Sequence, residues 1–274
     1  MIKTDLVRAI AFNLNDLIAD TTPSTVTGSS VDANVLIHPT ETALRGANFY
    51  IYSGAGTGQE RVVGSFNPAS RRLVFPQVFG SVPSINSNFF LFESFRKVEY
   101  DNAIERMMGV ARTKHLETRV ATLQIVATQY QYIVPSGFQF ISTLRLVPSG
   151  HTDYQVDDEV ARVFEFAPRY WRIERNAVGT PVIILDPRKV DLDDFDNEWV
   201  NVIGQVKPAS LGTDNATIST ELEEFVIAGA SALLASTKIK ENEKAWYSRF
   251  QMFKQDADRL EASVFTHVFG KKVD

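Results

Sequence analysis

The spacing of the apolar residues switches repeatedly along this chain, and that switching limits the fold more than any single motif does. Leu6, Ile10, Leu14 and Leu17 recur at helical intervals, which predicts a first helix over residues 3–19 with Asp16 and Asp20 on its surface. From 35 to 95 the apolar residues come instead in short runs, at 35–37, 49–52, 61–63, 73–75 and 89–92, parted by Gly, Pro, Asn and Ser clusters. That is the pattern of a small antiparallel barrel or sandwich. Helical spacing returns between 97 and 116 through Val98, Ile104, Met107, Met108 and Ala111. A second strand-rich stretch follows, in which Phe138, Phe140, Leu144 and Leu146 share one parity and predict a half-buried strand. Leu123 and Ile125 give way to Tyr130, Tyr132 and Val134 on the other parity, so a bulge or a change of face is expected near Thr128.

The end of the chain is helical again. Leu222, Phe225, Val226, Ala230, Leu233 and Leu234 line one face. Trp246, Phe250, Phe253, Ala257, Leu260 and Val264 then repeat with a heptad-like period, so two helices are expected to pair as a hairpin. The fold class read from this order is α+β: a helical body of N-terminal, middle and C-terminal helices with two inserted antiparallel β units, a small barrel and a β-sandwich. The expected boundaries are 1–30 and 97–117 for helical-body segments, 31–96 for the barrel, 118–212 for the sandwich, and 213–274 for the helical hairpin and tail.

Composition narrows the chemistry. The 274 residues carry a net charge of -5 and no cysteine. The charge argues against a surface that grips nucleic acid throughout, and no thiol is present for catalysis or metal binding. Charges enter too early for a signal peptide, and no apolar window approaches a membrane span, so the chain is expected to stay in the cytoplasm until it is assembled. His38, His115, His151 and His267 fall in different elements without metal-ligand spacing. The acidic run Asp191, Asp193, Asp194, Asp196, Glu198 lacks the turn glycine and terminal glutamate of a calcium loop, and reads as a solvated loop. No Gly-x-Ser-x-Gly elbow occurs, so an enzyme is not expected and no catalytic, cofactor or metal residue is assigned. The aromatics of the second β stretch, among them Tyr154, Trp171 and Trp199, are expected mainly in the core, with a glycan-stacking platform as the competing use.

Residues 54–61, Gly-Ala-Gly-Thr-Gly-Gln-Glu-Arg, have the look of a nucleotide loop but lack the Lys-Ser/Thr of a phosphate-binding loop, and Gln59 stands where a dinucleotide fingerprint needs glycine. They read as a hairpin turn with Gly-Gln-Glu-Arg leading into the return strand. Together with Tyr-Gln-Tyr-Ile-Val-Pro-Ser-Gly-Phe at 130–138, the later strands, and a helix over 220–236 bearing Ala228, Gly229, Ala230 and Ala232, this order resembles the head-tail connector (adaptor, or neck) proteins of tailed bacteriophages. The resemblance implies a non-catalytic virion protein without cofactor. It implies a ring, usually of twelve copies, seated between the portal and the tail terminator or next neck protein. Double-stranded DNA would pass through that ring without sequence-specific contact. The aromatic seam and tail supply the candidate interface residues: Phe225, Trp246, Phe250, Phe253, Phe265 and Phe269. The segment 264–269 has strand propensity and is expected to reach another subunit or the portal. The competing reading is a carbohydrate-binding collar or tail accessory protein.

Overall fold

A computed structural model of the chain describes residues 1–147, 165–239, 243–264 and 271–273. The chain divides into two compact units, residues 1–111 with 209–264, and residues 112–208 with 265–274. The fold is mixed α and β, with four helices and four antiparallel sheets among the described residues.

The first unit begins with α1 (Lys3–Asn13), followed by β1 (Leu17–Thr21), β2 (Thr25–Val26), β3 (Ser30–Asp32), β4 (Asn48–Ser53), β5 (Glu60–Val62), β6 (Ser65–Asn67), β7 (Arg72–Val74), β8 (Asn88–Phe92) and α2 (Lys97–Lys114). The chain then builds β9 (Glu117–Gln124), β10 (Gln131–Ile133), β11 (Phe138–Val147), β12 (Trp171–Arg175), β13 (Pro181–Leu185) and β14 (Trp199–Val206) of the second unit. It returns to the first unit for α3 (Thr220–Lys238) and α4 (Glu243–Val264), and ends in the second with β15 (Lys271–Lys272).

The barrel expected over 31–96 is not closed. Its strands form two sheets, in the orders β1-β8-β4-β5 and β2-β3-β7-β6. Beyond Val62 the chain leaves β5 and enters the other sheet at Ser65, so no ladder joins the two. A core of Val31, Phe49, Ile51, Phe66, Leu73, Phe89 and Leu91 fills the space between them. The uninterrupted run Asn-Phe-Phe-Leu-Phe of β8 has a direct cause: this strand is buried on both faces. Phe89 and Leu91 enter the intersheet core, while Phe90 and Phe92 join the core formed with the helices. Strand β4 divides likewise, with Phe49 and Ile51 on one side and Tyr50 and Tyr52 on the other. Residues 35–37, expected as a strand, form a turn that buries Leu36 and leaves Val35 and Ile37 exposed.

The first helix is shorter than its apolar spacing predicts. Asn15 has a φ of 52°, and the amides of Asn15 and Asp16 turn back to the carbonyls of Phe12 and Ala11, a Schellman ending that redirects the chain into β1. Asp16 is consequently not on the surface. Only 2 % exposed, its carboxylate accepts from the amides of Ser94 and Phe95 and from the Tyr100 hydroxyl, tying the α1 ending to the start of α2. Burial raises its pKa above the usual carboxylate range, with these donors working the other way. A second polar knot sits nearby: Lys97, 3 % exposed, pairs with Asp101 at 2.7 Å and Asp214 at 2.8 Å, and Asp214 also accepts the Tyr50 hydroxyl at 2.6 Å. Burial alone would raise the Asp214 pKa, but Lys97 and Tyr50 bring it below the usual value.

Helices α3 and α4 pack together as the expected hairpin. Leu222, Phe225, Val226, Ala230 and Leu234 are buried in the helical core alongside Leu6, Ile10, Ile104 and Met108. In the second unit the sheets run β15-β11-β14-β9 and β10-β13-β12 and share one core, which includes Ile141, Leu144 and Val202 from the first and Tyr132, Trp171 and Ile183 from the second. The simple alternation expected along β11 fails: Phe138, Ile141, Leu144 and Val147 are the buried positions. Irregularities in its pairing with β14, between Phe138 and Phe140 and between Ile141 and Thr143, shift the parity.

Candidate functional site

The hairpin between β4 and β5 is where the most distinctive sequence is put to use. Gly54, Gly56 and Gly58 all have positive φ, at 85°, 81° and 87°. A Cβ on Gly54 would lie 2.7 Å from the Ser87 Cα, and one on Gly56 would lie 2.9 Å from the Ser81 carbonyl oxygen. The tip therefore presses directly on the loop 76–87, and Ser87 Oγ donates to the Ala55 carbonyl at 2.8 Å.

The three residues after the last glycine brace two different segments, and strand parity decides which. Gln59 and Arg61 share one side. The Gln59 side chain accepts from the Gly80 amide at 2.7 Å and donates to the Ser81 carbonyl at 2.6 Å, in the manner of a ladder partner. Arg61 donates to the Val78 carbonyl at 3.0 Å, and its guanidinium lies 5.6 Å from the centre of the Phe79 ring. Glu60, on the opposite parity, accepts from the Lys97 amide at 2.7 Å and from Arg96 at 2.9 Å, placing a carboxylate at the N-terminus of α2. Beside the hairpin a groove of about 320 Å³ is lined by Glu60, Arg61, Val62, Pro76, Gln77 and Arg96. Glu60 and Arg61 are already engaged in these bonds, so the chemistry of this region is that of a rigid brace.

Gln59→Ala is expected to free loop 76–87 with a loss of about 1–3 kcal/mol, since the Gly80 amide and Ser81 carbonyl lose their side-chain partner. Faster amide exchange confined to residues 76–87, compared with the unaltered chain, checks it.

The candidate interface aromatics fall into three groups. Phe225 and Phe253, at 3 % and 6 % exposure, belong to the helical core of their own chain. Trp246 and Phe250 are half-buried against that core, Trp246 edge-on to Phe95 with centroids 5.8 Å apart. Phe265 and Phe269 lie outside the described residues, as does most of the tail segment 264–269. The residues just beyond it, Lys271 and Lys272, pair with Ile141 and Phe140 of the chain's own β11. Lys271 stands 3.9 Å over the Trp171 ring and donates to the Pro168 and Trp171 carbonyls. Burial lowers its pKa.

That arrangement also settles the place of Trp171. It is 3 % exposed with its indole nitrogen donating to the Phe166 carbonyl, so it offers no face to a sugar; Tyr154 lies outside the described residues, and Trp199 is 46 % exposed. In the acidic run, Asp191 accepts from the Asp193 amide and Asp196 from the Ala127 amide, Leu192 is fully buried, and no group of three metal-ligating side chains occurs among the described residues. Nor is any described helix long and apolar enough to cross a membrane.

No family model matches the chain, and no curated protein is similar to it.

The sequence reading passed over Val78, Val82 and Ile85, which stand 69 %, 50 % and 59 % exposed on the braced loop. The signal was there in one form: Pro76 through Asn88 carries no charge, although it joins two strands at the surface.

Proposed function

We propose that the chain is a structural, non-catalytic head-tail connector of a tailed bacteriophage. Copies associate into a ring, twelve-membered as the resemblance implies, that joins the portal to the next neck or tail protein and surrounds the passing DNA. In this reading the helical body forms the ring and the second unit is an inserted β-sandwich. The observation that carries the proposal is the use made of Gly-Gln-Glu-Arg, the motif on which the resemblance most depends. Its glutamine, glutamate and arginine are engaged in holding a loop and a helix start in place, a use suited to a protein whose work is to present fixed surfaces. The position of β9 to β14 between α2 and α3 supports the same reading, since it follows the order of helical body and inserted β unit. A binding site on the virion surface for carbohydrate loses its leading aromatic with the burial of Trp171.

The test is to mix the purified chain with portal rings from the phage that encodes it and to follow both through a density gradient. Co-migration is expected. Separate migration at micromolar concentrations of both contradicts the proposal.

A further inference from the structure

Strand β15 fills a place that the two sheets of the second unit leave open. Strand β11 pairs with β14 along one side, while among the described residues its other side carries only β15 and, farther along, a bridge from Arg145 to Glu165. The sheet across the core ends on β12, whose partner is β13. The backbone of β15 pairs Lys271 with Ile141 and Lys272 with Phe140, and the Val273 amide donates to the Gln139 carbonyl at 2.8 Å. Alternation along an extended strand turns Lys271 and Val273 one way and Lys272 the other. The first two are half-buried and the third is exposed.

Each inward side chain has its own receptor. Val273 packs against the core of the second unit. The Lys271 amine reaches across to β12, where it sits over the Trp171 ring and donates to the carbonyls of Trp171 and of Pro168, in the short 3-10 helix Pro168–Tyr170. A ring face and two carbonyls suit an ammonium, which offers three donors and a compact charge. A free strand edge, a lysine pocket and an apolar seat two residues on are the parts by which a sheet recognises an extended peptide.

The occupant is held by little backbone. Two residues of β15 pair with β11, against eight between β9 and β14, and elements with few backbone bonds are the ones that open locally. We propose that the β11 edge and the Trp171–Pro168 pocket form a binding site for an extended Lys-x-Val segment, occupied in the free chain by its own residues 271–273 as a strap that opens without unfolding the unit. The covered edge also keeps a ten-residue strand, Phe138–Val147, from templating unwanted pairing. Site and strap both belong to the second unit, so the inference is independent of the ring reading.

The probe is a fluorescein-labelled peptide of residues 268–274, Val-Phe-Gly-Lys-Lys-Val-Asp, followed by anisotropy. The full-length chain carrying Lys271→Ala, whose strap is loosened, is expected to bind it about tenfold or more tightly than the unaltered chain, where the tethered strap competes at high effective concentration. A peptide with Lys271→Ala is expected to bind that variant about tenfold or more weakly, and one with Lys272→Ala to lose less. In the unaltered chain without peptide, the Val273 amide is expected to exchange about a hundredfold or more faster than the amides joining β9 and β14. No binding to the Lys271→Ala chain, or equal losses from the two peptide substitutions, would overturn the binding site. A Val273 amide that exchanges as slowly as those of β14 would overturn the strap, and this last measurement stands even where the Lys271→Ala chain does not fold.

Discussion

Replacing Asp16 with alanine is expected to destabilise the first unit by about 3–5 kcal/mol, the range for breaking a buried charged network and leaving its donors unpaired. Three donors lose their acceptor together: the amides of Ser94 and Phe95 and the hydroxyl of Tyr100, which is itself fully buried. The packing at this point offers little relief, because Tyr100 is wedged between Phe92 and Phe95 with centroid distances of 4.9 and 5.9 Å. Asp16→Asn is expected to cost less, since one carbonyl acceptor remains. The same pair of variants carries a pH signature. The folded chain raises the Asp16 pKa, so it binds that proton more tightly than the unfolded chain does. The contribution of this group to stability therefore rises as the pH falls through the raised pKa, and levels off below the ordinary carboxylate value. Asp214, whose pKa is lowered, works in the opposite sense and loses its contribution on acidification. Chemical denaturation of wild type and Asp16→Asn across that range should show their difference growing in favour of wild type toward acid. A difference that shrinks would mean the carboxylate is held in its charged form.

Gly204→Ala is the second large effect, expected to cost the second unit about 3 kcal/mol or more by strain at an overpacked site. An added Cβ would stand 2.2 Å from the Phe140 carbonyl oxygen and 2.7 Å from the Phe138 ring, where β11 crosses β14 in its irregular stretch. A backbone oxygen within a ladder cannot step aside as a side-chain tip can. Gly109→Ala provides the contrast. Nothing lies within 4 Å of its added methyl, and it sits inside α2, so a gain of about 0.5–1 kcal/mol is expected there. Thermal melts of the two variants, read by amide exchange in β11 and β14 against α2, separate the outcomes. A Gly204→Ala chain that melts with wild type would show that the β11 irregularity relaxes freely.

Much of this architecture was legible because burial leaves a period. The helical faces of α3 and α4 and the doubly buried run of β8 are written in side chains that the core selects. What escaped depends on single backbone conformations. The left-handed Asn15 ends α1 early and turns Asp16 inward, and nothing in the apolar spacing, which continues through Leu17, announces it. Irregular pairing in β11 breaks the alternation that its sequence suggests, because parity records one strand and not the fit to its neighbour. The brace made by Gln59, Glu60 and Arg61 was visible as a motif but not as a function, since its partners at 78–81 and 96–97 are distant in sequence. The loop aliphatics were overlooked for the opposite reason: scattered exposed valines are ordinary on a surface, and only the bracing around them sets them apart.

The central claim, a ring-forming connector, is tested most directly by the native mass of the full chain, measured by mass photometry alone and after mixing with portal rings. The account predicts a closed oligomer of fixed mass, either unaided or as a fixed increment on every portal, with a central opening in class averages. A chain that remains a monomer or a trimer and adds no mass to portals would contradict it.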